Sequence, residues 1–529
     1  LDPAPRGDTT STDSHDLGGQ QILIDERFRF GAIGAEERGQ TLAIGYWFPG
    51  TEGEVTYKGN TYPHGQFHHW RKRYHPIKDG FEQQYEVVFR FSSNATFTQS
   101  FRDAWRWAWK TLDPQITPHP IDEVRRCSVD VLAENTIRVD GRTGIPFLTD
   151  ACTGKRNDAD NKALLGFCGK NLEAAYYLLR EAAIDQTSRS QKLRNKAIAI
   201  IETFTRLKVD PPSAEGFYFK TGKPAYALPD GKVYLRSYGD DIKALLRAYR
   251  FEKGRGFDHS DWLAWCRRYA DWLLTQEHAS GGFPRSWEPD GRVLSASPNA
   301  SFNAIGLLVL LSEITKDPTY LDAAIRTGNF CWGNGQSGGT FVGGTIDNPD
   351  VLDKEAATLS MEAYLMLHEA TQDPRWVKRS QAAADFSESW IYLWNVPMPA
   401  DEDDAALNWK KGASTIGLQL IATGHSLVDN YMTFNPDDFA MLYKLTGDEH
   451  YLDVARLLLH NTKNMLALSG RMYDLQAPGW QQEHWSLAPL RGYGFHRGWL
   501  PWVSTSHLNG IFGLMDLDPQ LYDQLSGGD

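Results

Sequence analysis

The chain has 529 residues and a formal net charge of −12, with 18 Trp, 22 Tyr and 5 Cys. That length holds a large core and about two domains, and the acidic balance without a basic tract argues against nucleic acid or an anionic membrane surface as partner. No apolar run reaches the ~20 residues of a membrane span, and an odd number of cysteines without a Cys-x-x-Cys pair speaks against a disulfide framework or a metal site, so no metal and no cofactor is expected.

Residues 1–19 are polar and rich in Pro, Asp, Thr and Ser. They read as a flexible mature end left by a removed signal, which predicts a secreted or periplasmic protein. From about 20 to 120 the pattern changes. Gln21-Ile-Leu-Ile, Thr41-Leu-Ala-Ile-Gly-Tyr-Trp-Phe, Glu54-Val-Thr-Tyr, Gln84-Tyr-Glu-Val-Val-Phe-Arg-Phe and Ala95-Thr-Phe-Thr are β-branched and aromatic runs between Gly, Asn and Pro turns. They predict an antiparallel β-sandwich, with Trp105-Arg-Trp-Ala-Trp and the Pro-rich stretch Asp113–Pro120 as its junction to the rest. Asn94-Ala-Thr and Asn299-Ala-Ser fit the glycosylation triplet, a pattern that chance also produces.

Residues 121–529 form a second, helical domain built on repeats. Leu178-Leu-Arg-Glu-Ala, Leu245-Leu-Arg-Ala-Tyr, Leu311-Ser-Glu-Ile-Thr, Leu367-His-Glu-Ala-Thr and Leu442-Tyr-Lys-Leu-Thr each close one helix and lead into another. The last three are followed by the near-copies Lys316-Asp-Pro-Thr-Tyr-Leu, Gln372-Asp-Pro-Arg-Trp-Val and Gly447-Asp-Glu-His-Tyr-Leu. The unit is a helical hairpin in an array. The spacing predicts outer helices near 122–138, 190–208, 261–276, 318–332, 374–394 and 448–467. Inner helices are expected near 161–182, 240–250, 301–315, 354–371, 429–446 and 503–515. Short Asp-Pro or Gly-Asp turns join inner to outer helices on one rim. Long Gly- and aromatic-rich connections lead back to the inner-helix starts on the other, and such loops are the usual home of binding and catalysis.

A β-sandwich followed by six helical hairpins resembles a group of polysaccharide-degrading enzymes, the glucuronidase-like glycoside hydrolases and the uronate polysaccharide lyases. The likeness covers nearly the whole chain as architecture, and no catalytic motif singles out one family. It implies a mainly α fold, an (α/α)6 toroid with an N-terminal antiparallel β-sandwich, and a substrate lying in a funnel at the inner-helix starts; fold alone does not settle function.

Those starts carry Asp160 and Asn161; Tyr238, Asp240 and Asp241; Asn299 and Asn303; Asp353, Lys354 and Glu355; His425, Asp429, Asn430 and Tyr431; and Ser506, His507 and Asn509. Asp, Asn and Ser also belong at helix N-caps, so Asp160, Asp240 and Asp353 read as caps. Glu355 opens a helix continued by apolar residues, where partial desolvation favours a general acid. His425 stands in Thr423-Gly-His-Ser-Leu-Val-Asp-Asn-Tyr, where neither capping nor core packing asks for His, Asp and Tyr together. A further cluster, Glu483, His484, Trp485, Tyr493, His496, Arg497, Trp499 and Trp502, is denser in aromatic and charged groups than a solvated loop needs. Its alternative is a loop packed by its tryptophans, with Arg497 in a structural ion pair.

Two enzymatic readings and one non-enzymatic reading follow. In hydrolysis, Glu355 and Asp429 are the carboxylate pair, with Asp241 as substitute. In β-elimination next to a uronate, Arg497 and an Asn neutralise the carboxylate while His425 or Tyr431 removes the proton. A carbohydrate-binding protein would use the aromatics alone. Under each reading the partner is a poly- or oligosaccharide, anionic if the basic groups serve it. Lys354, Asn303, His484, Trp485, Tyr493, His496, Arg497, Trp499 and His507 are then the substrate-binding candidates.

Overall fold

In the computed structural model the described residues are 22–24, 32–47, 53–57, 68–74, 79–80, 82, 84, 86–94, 96–156, 161–346, 351–395, 410, 412–421, 427–429, 435–486 and 497–527. The segment 1–19, expected to be flexible, lies outside them.

The N-terminal strands are β1 (Ile22–Ile24), β2 (Ala32–Arg38), β3 (Thr41–Trp47), β4 (Gly53–Tyr57) and β5 (His68–Tyr74). β2 and β3 form a hairpin, and β1, β5 and β4 form a three-stranded sheet in which β1 runs parallel to β5. The pairing is therefore mixed, where a purely antiparallel sandwich was expected. Residues 86–94 carry no strand, and Phe97–Leu112 is a helix, α1, in place of the expected strand at 95–98. The cause is spacing. Thr96 caps the helix by accepting the Gln99 N–H, and Phe101, Trp105 and Trp109 recur at helical intervals, so that Trp105 and Trp109 are buried on one face. Arg102 bonds Asp385 at 2.7 Å and Arg106 bonds Asp448 at 2.5 Å, clamping α1 to the helical domain.

After α2 (Ile121–Asn135) and the one-turn α3 (Gly166–Gly169), hairpins pair α4 (Asn171–Ile184) with α5 (Ser188–Phe204) and α6 (Leu235–Gly254) with α7 (Ser260–Leu274). They continue with α8 (Ile305–Thr315) and α9 (Pro318–Gly333), α10 (Lys354–Thr371) and α11 (Pro374–Glu388), and α12 (Pro436–Thr446) and α13 (Glu449–Asn461). The chain then runs through α14 (Pro501–Leu517) and α15 (Pro519–Ser526). Each of α4, α6, α8, α10, α12 and α14 packs on the next, and α14 packs back on α4. The inner ring is closed, as an (α/α)6 toroid requires, and α2, α5, α7, α9, α11 and α13 make the outer layer.

The repeated turn works by local chemistry. Lys316, Gln372 and Gly447 end the inner helices in the left-handed region, and Asp317, Asp373 and Asp448 then cap the outer helices by accepting the N–H two residues on. Two inner helices start later than expected. Lys162–Leu164 pairs as a strand with Gly216–Tyr218, so α4 begins at Asn171. Leu427–Asp429 is likewise a strand, and the fixed φ of Pro436 then starts α12. The tryptophan richness is largely packing, because Trp262, Trp265, Trp287, Trp376, Trp499 and Trp502 are all fully buried.

Gly239 marks how tightly the inner ring is built: a Cβ there would lie 2.5 Å from the Asn303 carbonyl oxygen. Gly239→Ala is expected to destabilise the toroid by about 1–3 kcal/mol through overpacking, read as a lowered urea midpoint with little change in slope.

Candidate functional site

The rim at the inner-helix starts is organised by buried charges. Upstream of α6, Glu215 is fully buried and accepts the N–H groups of Ala227 (2.7 Å) and Tyr234 (3.0 Å), and burial pushes its carboxyl up to about 7. That brace delivers Arg236 in the first turn of α6. Its guanidinium, 1% exposed, ion-pairs with Glu355 in the first turn of α10 and also donates to the Gly344 carbonyl. Arg285 grips the same loop, donating to the carbonyls of Gly343 (3.0 Å) and Thr345. Behind Arg236 the charges continue: its Nε lies 3.7 Å from Asp240, which Lys170 reaches at 2.9 Å while also holding Glu173 at 2.8 Å. Burial opposes ionisation of Asp240, but Lys170 and Arg236 outweigh it and hold the carboxyl below its usual range. A chain of buried ions is an expensive way to stabilise a fold. Its position at the loop-bearing rim makes it the centre of the candidate site.

Several expected residues take other roles. Glu355, expected as a partly desolvated acid at the open end of its helix, is buried and ion-paired to Arg236. Asp241 is fully buried and accepts the N–H groups of Leu172 (3.0 Å) and Glu173 (3.2 Å), clamping the start of α4 instead of facing a funnel; burial pushes it up to about 7. Asp353 is the expected cap, accepting from Ala356 (2.6 Å) and Gly344 (2.9 Å), and burial together with Glu355 raises it to about 7. Asp240, read as a cap, is an ion-pair partner. Trp499 is core: its indole donates to Ser504 and its ring lies 5.4 Å from Trp480. His507 is buried against Gln481 at 3.1 Å, and burial, Lys463 and His119 press its pKa well below the ordinary value, so it stands as a neutral core histidine. Arg497 pairs with Asp474 at 3.1 Å and donates to the Cys152 sulfur, which is the structural ion pair weighed as its alternative.

The rim also holds a sheet. Gln419–Leu420, Leu427–Asp429 and His484–Ser486 pair antiparallel, and the register sets Gln419, Asp429 and His484 in one row, with Val428 beside Trp485. The Lys354 N–H donates to the Ile421 carbonyl at 3.3 Å, so the start of α10 abuts the end of this sheet. Lys354 itself is fully buried there. The backbone thus makes neighbours of the helix turn bearing Glu355 and the strands bearing Asp429 and His484. Asn303 donates to Ala300, and among the described residues its Oδ1 has no partner beside a small void that Asp240 also lines. Asp160, His425, Tyr431, Tyr493 and His496 lie outside the described residues.

Sequence reasoning missed Arg236, Arg285, Lys170 and Gln419. Gln419 is buried, and among the described residues neither of its side-chain heteroatoms has a partner, a group that a bound polar ligand would satisfy. Only Arg236 had a legible signal, a cation one turn before the acid pair Asp240-Asp241. Among the described residues no group of three His, Cys, Asp or Glu side chains could hold a metal, and no helix is long and apolar enough to cross a membrane.

No family model matches the sequence, and no curated protein matches it. Solved structures do. D-mannose isomerase is 12% identical, over 80% of this chain and 100% of that one, with a TM-score of 0.52. A family 76 glycoside hydrolase from a bovine Bacteroides thetaiotaomicron strain is 11% identical over 75% and 78% of the two chains, with a TM-score of 0.47. Unsaturated glucuronyl hydrolase from Bacillus sp. GL1 is 12% identical over 76% and 97%, also with a TM-score of 0.47. The likeness shows the fold. This chain shares the (α/α)6 toroid, in agreement with the resemblance read from its hairpins.

Removing one partner of the Arg236–Glu355 pair leaves a buried charge alone. Arg236→Met should therefore cost about 3–5 kcal/mol in urea unfolding, and adding Glu355→Leu should restore part of the loss. Asp241 sets a pH dependence. Folding raises its pKa from 3.8 to about 7, so the retained proton favours the folded state at acid pH, and the contribution disappears as pH climbs through that interval. Asp241→Asn is expected to flatten this part of the stability curve, measured by thermal unfolding from acid to neutral pH.

Proposed function

We propose that the protein is a carbohydrate-active enzyme that hydrolyses a glycosidic bond in a uronate-containing poly- or oligosaccharide. The observation that carries this reading is the contact between the α10 start and the rim sheet, made by Lys354 and Ile421, because it brings two carboxylate-bearing elements to one place. Hydrolysis needs one carboxylic acid to protonate the leaving oxygen and one carboxylate to activate water. Glu355, held by Arg236, suits the carboxylate role, and Asp429 takes the acid role. The N-terminal ends of α6 and α10 bring the positive ends of their dipoles to the same rim, which supports an anionic sugar unit. The toroid shared with D-mannose isomerase supports a saccharide as the partner.

A second reading rests on one observation. Asp429 and His484 are register partners on adjacent strands, so the backbone brings an acid and a candidate base to one place, and this favours β-elimination next to the uronate.

The test is incubation with uronate-containing polysaccharides, following reducing ends together with the ultraviolet absorbance of an unsaturated uronate. Reducing ends without the chromophore are expected. Both signals together would transfer the assignment to β-elimination, and neither would leave a binding protein. Asp429→Asn and Glu355→Gln should each lower kcat by about 100-fold or more while saccharide binding, followed by calorimetry, persists.

A further inference from the structure

Farther along the ring axis, beyond the charges of the rim, the inner helices enclose a cavity of about 230 Å³. It lies between the C-terminal halves of α6, α10 and α14 and the first turn of α12, and the largely exposed Arg250 and Asp516 stand at its mouth. Most charges in its wall are already matched. Arg180 holds Asp516 through two bonds of 2.6 and 2.7 Å, and Glu362 takes Lys243 and, at 2.9 Å, Arg247.

Asp437 and Asp438, in the first turn of α12, have no ion-pair partner among the described residues. The Oδ1 of Asp437 is buried without a hydrogen-bond partner among the described residues. Asp438 is only 9% exposed and lines the cavity, and among the described residues no ion pair or hydrogen bond reaches its carboxyl. Burial, reinforced for Asp437 by Glu362 and for Asp438 by Asp437, pushes both well above the carboxylate range. A glycine inside α14 makes room for them: a Cβ at Gly513 would lie 1.9 Å from the Asp437 Oδ2. A glycine in a helix interior costs roughly 1 kcal/mol relative to alanine, so this position trades helix stability for an open carboxyl. The wall is also aromatic. Tyr177 and Phe512 stack at 5.5 Å, and the Arg180 guanidinium already rests 4.8 Å from the Phe512 ring, so the surface accepts a cation.

We propose that this cavity is a binding site separate from the rim, for a compact organic cation carrying a primary ammonium group, seated on Asp437 and Asp438 against Tyr177 and Phe512. An ammonium supplies three donors to acceptors that the fold leaves unmet, and its charge suits both the carboxylates and the ring faces. The volume is below the roughly 300–1,000 Å³ of pockets for drug-sized ligands, which restricts the ligand to a few heavy atoms.

The test titrates 1,4-diaminobutane and its neutral counterpart 1,4-butanediol into the full chain by calorimetry. The diamine should bind saturably, the diol at least tenfold more weakly, and Asp438→Asn should weaken diamine binding at least tenfold. Binding should also release protons, so its heat should change between buffers of different ionisation enthalpy; the groups facing the two acids are Glu362 on α10, Lys243 and Arg247 on α6, and Tyr177 on α4. Phe512→Leu keeps an apolar wall and provides the measurement if Asp438→Asn does not fold; it should weaken the diamine several-fold. Absence of saturable diamine binding, equal affinity for the diol, or affinity unchanged in the folded variants would overturn the proposal.

Discussion

Burying the Arg236 guanidinium against Glu355 obliges three parts of the chain to arrive together: the first turn of α6, the first turn of α10 and the loop Gly343–Thr345. An arginine loses its hydration when it is 1% exposed, and only fixed carboxylates and carbonyls in the right places replace it. Those partners come from elements more than a hundred residues apart, so the pair forms only when α6 and α10 have both docked on α8. Gly344 shows how close the fit is, since a Cβ there would lie 2.3 Å from the Asp353 carboxylate and 2.4 Å from the Ala356 nitrogen.

From this pair the rest of the rim follows. Asp353 caps α10 and also holds the Gly344 N–H, so cap and loop are one structure. Lys170 and Asp240 extend the buried charges to α3 and α4, where Asp241 secures the helix start. The acids of the rim thus divide into two kinds. Asp241 and Asp353 face backbone N–H groups and are pushed upward by burial, while Asp240 faces cations and is held down. Catalysis by paired carboxylates draws on such a division, because it needs groups that differ in protonation at one pH.

The short α12 has a structural consequence of its own. It has 11 residues against 18 in α10 and 20 in α6, so it reaches along only part of the axis. The strand Leu427–Asp429 precedes it at the rim, and the first turn of the helix, with Asp437 and Asp438, lines the cavity. Polar chemistry is thereby set at two levels of one axis, the rim sheet above and the acid pair below.

Local chemistry was legible in the sequence wherever neighbours in the chain decide the outcome. The hairpin repeat, the short Asp-Pro and Gly-Asp turns and the inner-to-outer order all depend on residues a few positions apart, and the structure adds how those turns work, through left-handed helix ends and caps at Asp317, Asp373 and Asp448. The partner of a long side chain was not legible. Nothing local marks Arg497 as the mate of Asp474, Trp499 as core, Asp241 as a clamp on α4, or Arg236 as the mate of Glu355, because each contact spans a different stretch of chain. The same holds for α1, whose Trp105-Arg-Trp-Ala-Trp run reads as a junction until Asp385 and Asp448 are placed to receive its arginines. Sequence by itself determined periodicity and the order of the hairpins. Only the closed ring decided which buried charges pair, since desolvation makes pairing obligatory and the topology alone sets who is within reach.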